Sequence, residues 1–362
     1  MRVLFVTVLL STIAAVGGKA ASFDELAEKA AAARRANQIP EAIAFYRQAV
    51  ELRALWAEGW WFLGTLSYAS FQYADCQDAF DKFVKLDDKR PLAWTLLGLC
   101  EFETGAYDRA LDHLRRGLAG EDLAPDVEPV ARFHYGLLLS RAGNFDQGRR
   151  ELERYARGAA REPMLVEGLG LNALHERWLP NEIPAERRAL IEKAGIATSH
   201  WILGETDRAE SGFQELLQEY PTAAGVHYLY GFYLSSTRPG QAMAELRREL
   251  ELDPANADAA AMLALLLMHT EDTAKALRLA EAAATEQPSD ALAEYACGEV
   301  LAETGDARTA IAYLEAAERL DPAVLQYRMA LAGAYSQTGR YEDARRERKL
   351  SMEMAARAHA GD

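Results

Sequence analysis

Apolar and small residues return along this chain with a period of 34, and they return in fixed columns. Trp60, Leu63 and Gly64 recur as Trp94, Leu97 and Gly98, while Cys76, Ala110, Ala276, Ala310 and Ala344 share a later column. Leu86, Leu252 and Leu320 share another, and Pro254, Pro288 and Pro322 close their units at one offset. Such a period predicts an array of helix-turn-helix hairpins. A small residue at the eighth position (Gly64, Gly98, Gly136, Gly231, Gly298) and at the twentieth (Ala110, Ala276, Ala310) lets two antiparallel helices approach closely. Thr104-Gly105, Ala142-Gly143, Thr304-Gly305 and Thr338-Gly339 put glycine where the first helix ends and positive φ costs least. Asp253-Pro254 and Asp321-Pro322 stop the second helix, because proline cannot continue it.

Units begin at 23, 57, 91, 129, 190, 224, 257, 291 and 325, so the register breaks once, between 129 and 190, where 27 extra residues lie. These read as one helix from Met164 to about Arg177, then Trp178 to Pro184, whose two prolines favour an extended path. One added helix reverses the up-down alternation of the array. Seven extended residues span ~23 Å, close to the ~21 Å of a 14-residue helix, so the segment is expected to carry the chain back and restore the alternation. The organisation expected is therefore an N-terminal segment at 1–20, a block of four repeats at 21–162, an inserted helix and proline-bounded crossover at 163–189, and five repeats at 190–362, the last one capping.

The columns resemble the tetratricopeptide repeat family, whose pattern is Trp-x2-Leu-Gly-x2-Tyr, then Ala-x3-Phe, then Ala and Pro. The fit is best at 57–90, with Trp60, Leu63, Gly64 and Phe80, and at 91–124, with Trp94, Leu97, Gly98 and Ala110. The resemblance spans nearly the whole chain after the N-terminal segment. It implies an all-α fold, a right-handed α-solenoid of helix-turn-helix repeats of about 34 residues, with function on the concave face lined by positions 2, 5, 9 and 12 of each first helix. Those columns hold Trp61, Thr65 and Tyr68, then Thr95, Leu99 and Phe102, then Phe133 and Leu137, and in the C-terminal block Tyr228 and Phe232. Two readings of this lining stand: an apolar, aromatic groove for a protein or peptide segment, or helices that pack on one another and bury their own inner face. Family members that hold a chaperone's C-terminal carboxylate carry Lys at position 5. Here that column holds Ala27, Trp61, Thr95, Phe133, Ala194, Tyr228, Ala261, Tyr295 and Met329, so that clamp is excluded.

The N-terminus is a different object. Arg2 precedes an apolar run from Val3 to Val16 and then Gly17-Gly18-Lys19-Ala20-Ala21, the layout of a cleaved signal peptide. The run is shorter than the ~20 residues a bilayer span requires. An exported protein, periplasmic or extracellular and without stable membrane insertion after cleavage, is expected. Export bears on the cysteines. Cys76 and Cys100 occupy places that face a shared helix interface, where they either form a disulfide, worth ~3.5 kcal/mol in the chain-entropy model, or remain two small buried thiols. Cys297 sits in a core-facing column and is expected to be a lone buried thiol.

Candidate chemistry changes the picture little. The seven histidines lie about one per helix, with no His-x3-His, Cys-x2-Cys, phosphate loop or Gly-x-Ser-x-Gly, so no catalytic residue, metal site or cofactor is expected. Only His134 and His227 lie near the predicted groove. With 55 acidic against 40 basic residues, nucleic acid is disfavoured as a partner. The expected function is a non-enzymatic scaffold binding a protein or peptide segment. The alternative is an accessory subunit for assembly or degradation of a cell-envelope polysaccharide, whose sugar rings aromatic groove residues would stack on. An enzyme with an unrecognised site is a third class.

Overall fold

In the computed structural model, which describes residues 21–120, 123–159, 162–269 and 272–360, nineteen α-helices follow one another. Nine hairpins account for eighteen of them: α1 (Phe23–Arg35) with α2 (Ile39–Leu52), α3 (Ala57–Ala69) with α4 (Tyr73–Leu86), α5 (Pro91–Glu103) with α6 (Tyr107–Leu118), and α7 (Glu128–Arg141) with α8 (Phe145–Ala159). After α9 (Pro163–Ala173) come α10 (Ala185–Ile202) with α11 (Thr206–Glu219), α12 (Val226–Leu234) with α13 (Pro239–Leu252), and α14 (Ala257–Met268) with α15 (Thr273–Glu286). The last two are α16 (Ala291–Glu303) with α17 (Ala307–Leu320), and α18 (Leu325–Gln337) with α19 (Tyr341–Ala360). The described residues contain no strand, and none of their helices is long and apolar enough to cross a membrane. The expected signal peptide, residues 1–20, lies outside the described residues.

The repeat columns explain each hairpin. A Cβ placed on Gly98 would stand 2.8 Å from Leu114 Cγ and 3.1 Å from the Ala110 carbonyl oxygen, and one on Gly298 would stand 2.6 Å from Leu314 Cγ and 3.2 Å from the Ala310 carbonyl oxygen. The glycine of the first helix thus receives a leucine of the second, directly over the backbone of the alanine column. Gly64 receives Phe80 in the same way. In the second and third hairpins a tryptophan fixes the start of the first helix. The indole N–H of Trp60 donates to the Ala54 carbonyl at 2.8 Å, and that of Trp94 to the Asp88 carbonyl at 2.9 Å, tying each helix to the loop before it. Asn37, Phe71 and His175 take the positive-φ turn position that glycine fills elsewhere, a strained choice for residues with a Cβ.

Packing divides the chain into two compact units, one up to Leu123 and one from Ala124. In the first, Cys76 of α4 and Cys100 of α5 are joined by a disulfide, with Cα atoms 6.1 Å apart. Cys297, in the second, is free and buried. By its packing the fourth hairpin, α7–α8, goes with the second unit, since α9 packs on both of its helices.

The inserted segment departs from expectation in two ways. The helix is shorter, ending at Ala173 with His175 at φ 56°, and residues Pro180–Glu182 form a 3-10 turn where an extended path was expected. Leu174, Leu179 and Ile183 are buried, so burial of these apolar side chains folds the segment up rather than stretching it. α10 consequently runs antiparallel to α9. A Cβ on Gly170 would lie 1.9 Å from the Ile191 carbonyl oxygen, and one on Gly195 1.9 Å from that of Val166. The chain is not carried back. The added helix therefore shifts the alternation, and α8, the second helix of its hairpin, faces the first helices α12, α14, α16 and α18 of the later repeats.

Candidate functional site

The expected groove residues fall into two groups. Thr95 and Leu99 are buried in α5, Thr95 against Gly117 of its own partner helix, with its hydroxyl donating to the Pro91 carbonyl at 3.1 Å. Phe133 and Leu137 are also buried, since Gly168 of α9 lies against both, and Tyr155 stacks obliquely on Phe133 at 5.1 Å. Tyr228 is 5% exposed. These five are packing residues and line no open surface, because neighbouring helices reach the columns they occupy. Trp61, Thr65, Tyr68, Phe102 and Phe232 remain half-buried. Trp61 meets Phe80 and Phe83 edge-on or tilted, at 5.8 and 5.3 Å, Tyr68 meets Tyr73 at 6.3 Å, and Phe102 meets Tyr107 at 5.6 Å.

The second unit has a cavity of 430 Å³ on the inner face of its repeats. Phe232 of α12, Met262, Leu265 and Leu266 of α14, Leu292 and Tyr295 of α16 and Tyr327 of α18 form its apolar wall. Facing them, α8 supplies Asp146, Arg149 and Arg150. Four successive first helices thus offer one apolar surface. The charged wall comes from the shifted alternation described above.

That charged wall is fastened to the later repeats. Arg150 is paired with Asp321, whose side chain is 3% exposed, and the Gln147 amide donates to the Leu320 carbonyl at 2.9 Å. The Arg149 guanidinium lies 5.3 Å from the Phe232 ring centre and pairs with Glu153 at 2.5 Å and Asp146 at 3.8 Å. In the turn after α9, His175 stacks flat on Phe145, centroids 4.2 Å apart, and its Nδ1 lies 2.9 Å from the Asp258 carboxylate of α14. Burial opposes a charge on His175, but the Asp258 carboxylate, with Asp146 and Asp290 beyond it, outweighs this and holds the imidazolium above the usual histidine range. Burial, and then Asp258, push the Asp290 carboxyl up to about 7, although the Ala293 backbone N–H donates to it at 2.7 Å. Burial likewise raises Asp146, against the pull of Arg149.

The two histidines expected near a groove are engaged locally. His134 Nδ1 donates to the Val130 carbonyl at 2.7 Å, and burial lowers its pKa. His227 Nδ1 lies 2.6 Å from the Glu245 carboxylate. The histidine on the inner face is His175. Asp258 stands at position 2 of its unit, an inner column, whereas Asp146, Arg149 and Arg150 escape a sequence reading because the repeat register assigns α8 to the outer row, and His175 because it lies in the inserted segment. Their one signal is an odd number of helices between the fourth and fifth hairpins. Among the described residues no group of three His, Cys, Asp or Glu side chains is arranged to hold a metal ion.

No curated relative is matched by sequence. Among solved structures, the chain is similar to MamA from Desulfovibrio magneticus (20% identity, 46% of this chain and 95% of that one, TM-score 0.38). It is also similar to Cut9–Hcn1, a hetero-tetramer of the APC/C (17% identity, 92% and 66%, TM-score 0.40), and to yeast Tom70 (14% identity, 92% and 92%, TM-score 0.34). The tetratricopeptide repeat profile matches residues 63–127, 233–291 and 295–347. With nine hairpins in this geometry and three stretches matching that profile, the chain belongs to the tetratricopeptide repeat family.

Proposed function

We propose that this protein is a non-enzymatic, exported interaction scaffold, and that its second unit takes up a bulky apolar side chain from an extended segment of a protein partner. The observation that carries the reading is the 430 Å³ cavity, apolar along four helices and charged along α8. Such a lining suits one anchor residue whose flanking backbone meets polar groups at the rim. Trp61, Tyr68 and Phe102 of the first unit, half-buried on their helices, offer a second aromatic surface for the same kind of partner. Export is supported by the apolar run from Val3 to Val16 and by the Cys76–Cys100 disulfide, a bond that persists in oxidising compartments.

Titration calorimetry with peptides carrying one Phe, Leu or Trp, set against oligosaccharides, tests the binding. Peptides are expected to bind and glycans not; glycan binding without peptide binding would favour the polysaccharide accessory role. Ser236→Trp, placed at an exposed lining position, is expected to fill the cavity and weaken peptide binding at least ~10-fold. Unchanged affinity in that variant would move the site elsewhere. N-terminal sequencing of the mature protein is expected to begin close to Ala21, and a retained Met1 would overturn the export reading.

A further inference from the structure

The contacts that fasten α8 to the later repeats stand apart from its main packing. α8 packs broadly on α7 and α9, its neighbours in sequence. Across the inner face it meets the later repeats through side chains: Arg150 with Asp321, Gln147 with the Leu320 carbonyl, and Arg149 with the Phe232 ring. The turn after α9 adds His175 against Asp258 and Tyr228, its ring 4.7 Å from that of Tyr228. Arg149 and Arg150 also form one wall of the cavity, so whatever loosens these contacts widens it.

We infer that α8 and the turn after α9 act as a proton-sensitive latch across the inner face of the second unit, closed when Asp146, His175 and Asp290, gathered around the buried Asp258, carry protons and loosened when they lose them. The inference regulates the cavity proposed above as the binding site, but the latch itself is defined without any partner.

Three carboxylates and one imidazole meet here, from α8, the turn after α9, α14 and the cap of α16. The other charges facing them are Arg149 and Arg150, paired with Glu153 and Asp321, and, lining one pocket with Asp290, Arg177 and Glu286; the phenols of Tyr228 and Tyr327 are held neutral, both raised first of all by burial. His175, Asp290 and Asp146 are all raised in the closed arrangement, so closing takes up protons. The sign is the same for all three. Closure is favoured in mild acid and is lost as pH rises through about 7, where Asp290 ionises and adds a negative charge beside Asp258. Asp290 alone, moving from an ordinary carboxylate value when open to about 7 when closed, changes the closing equilibrium about tenfold between pH 6 and pH 8.

Hydrogen exchange of the full chain tests this. After normalisation to intrinsic rates, peptides covering 145–159 and 172–177 are expected to be about tenfold less protected at pH 8 than at pH 6, while peptides of the first unit hold constant. Asp290→Asn keeps the helix cap, since asparagine also accepts from the Ala293 N–H, and removes the proton. It is expected to flatten most of the pH response. Arg150→Gln is expected to lower protection of the same peptides at both pH values. Equal wild-type protection at pH 6 and pH 8, or a full response in Asp290→Asn, overturns the latch. Failure of peptide binding with the exchange response intact would count against the cavity as a binding site and leave the latch standing.

Discussion

Gly170→Ala is expected to destabilise the second unit by about 3 kcal/mol or more, among the largest effects of a single methyl group at the described glycines. The added Cβ would fall 1.9 Å from the Ile191 carbonyl oxygen and 2.8 Å from its carbonyl carbon. Both are backbone, so no rotamer change relieves the overlap, and α9 and α10 must move apart along their whole contact. Gly195→Ala meets the Val166 carbonyl at the same 1.9 Å and is expected to behave alike. Gly298→Ala provides the contrast. Its Cβ meets Leu314 Cγ at 2.6 Å, a side chain and not backbone, so a smaller cost, about 2 kcal/mol, is expected. Gly339→Ala meets nothing within 4 Å, and only its φ of 79° opposes the change, at about 1 kcal/mol. Urea unfolding, followed by exchange in peptides of each unit, ranks the four variants. A Gly170→Ala protein less than 1 kcal/mol below the wild type would show that α9 and α10 are not packed backbone to backbone.

The same helix pair marks where sequence reading stops. Hairpin boundaries were legible because glycine, alanine and proline stand where the geometry requires them: α3, α5, α14, α16 and α18 begin at the residues the 34-residue register names. The register says nothing about which row of helices faces inward after an interruption. That depended on whether residues 174–184 stretch or fold, and the decision lay with Leu174, Leu179 and Ile183, three apolar residues scattered among prolines and polar groups. Extended chain length permitted one outcome and burial selected the other. The candidate site followed the same division. Phe232 was legible as an inward residue, as was Tyr295 by its column, whereas Asp146, Arg149 and Arg150 stand opposite them only because the row changed. Thr95, Leu99, Phe133 and Leu137 erred in the other direction, since position within one helix cannot tell how far the next helix overlaps it.

Loss of the Cys76–Cys100 bond is expected to lower the stability of the first unit by ~3.5 kcal/mol, the chain-entropy value for a loop of this size, with a sequence separation of 24. The bond joins α4 to α5, the second helix of one repeat to the first helix of the next. A repeat array derives its stability from neighbour interfaces, so a covalent tie at one interface acts on the term that couples two repeats. Ordinary cysteine variants confuse this with lost packing, but the chain supplies its own control. Cys76 occupies the column that holds Ala110, Ala276, Ala310 and Ala344, so alanine is already the native solution at that place in four other hairpins. The double variant Cys76→Ala and Cys100→Ala should therefore unfold like the reduced wild type, both well below the oxidised protein. Alkylation of the denatured, unreduced protein is expected to label Cys297 alone. The second unit should keep its unfolding midpoint under reduction, because its one cysteine forms no bridge. A first unit whose stability changes by less than 1 kcal/mol on reduction would mean that its helices hold the α4–α5 interface without the bond, and that the cysteines stand in for alanine.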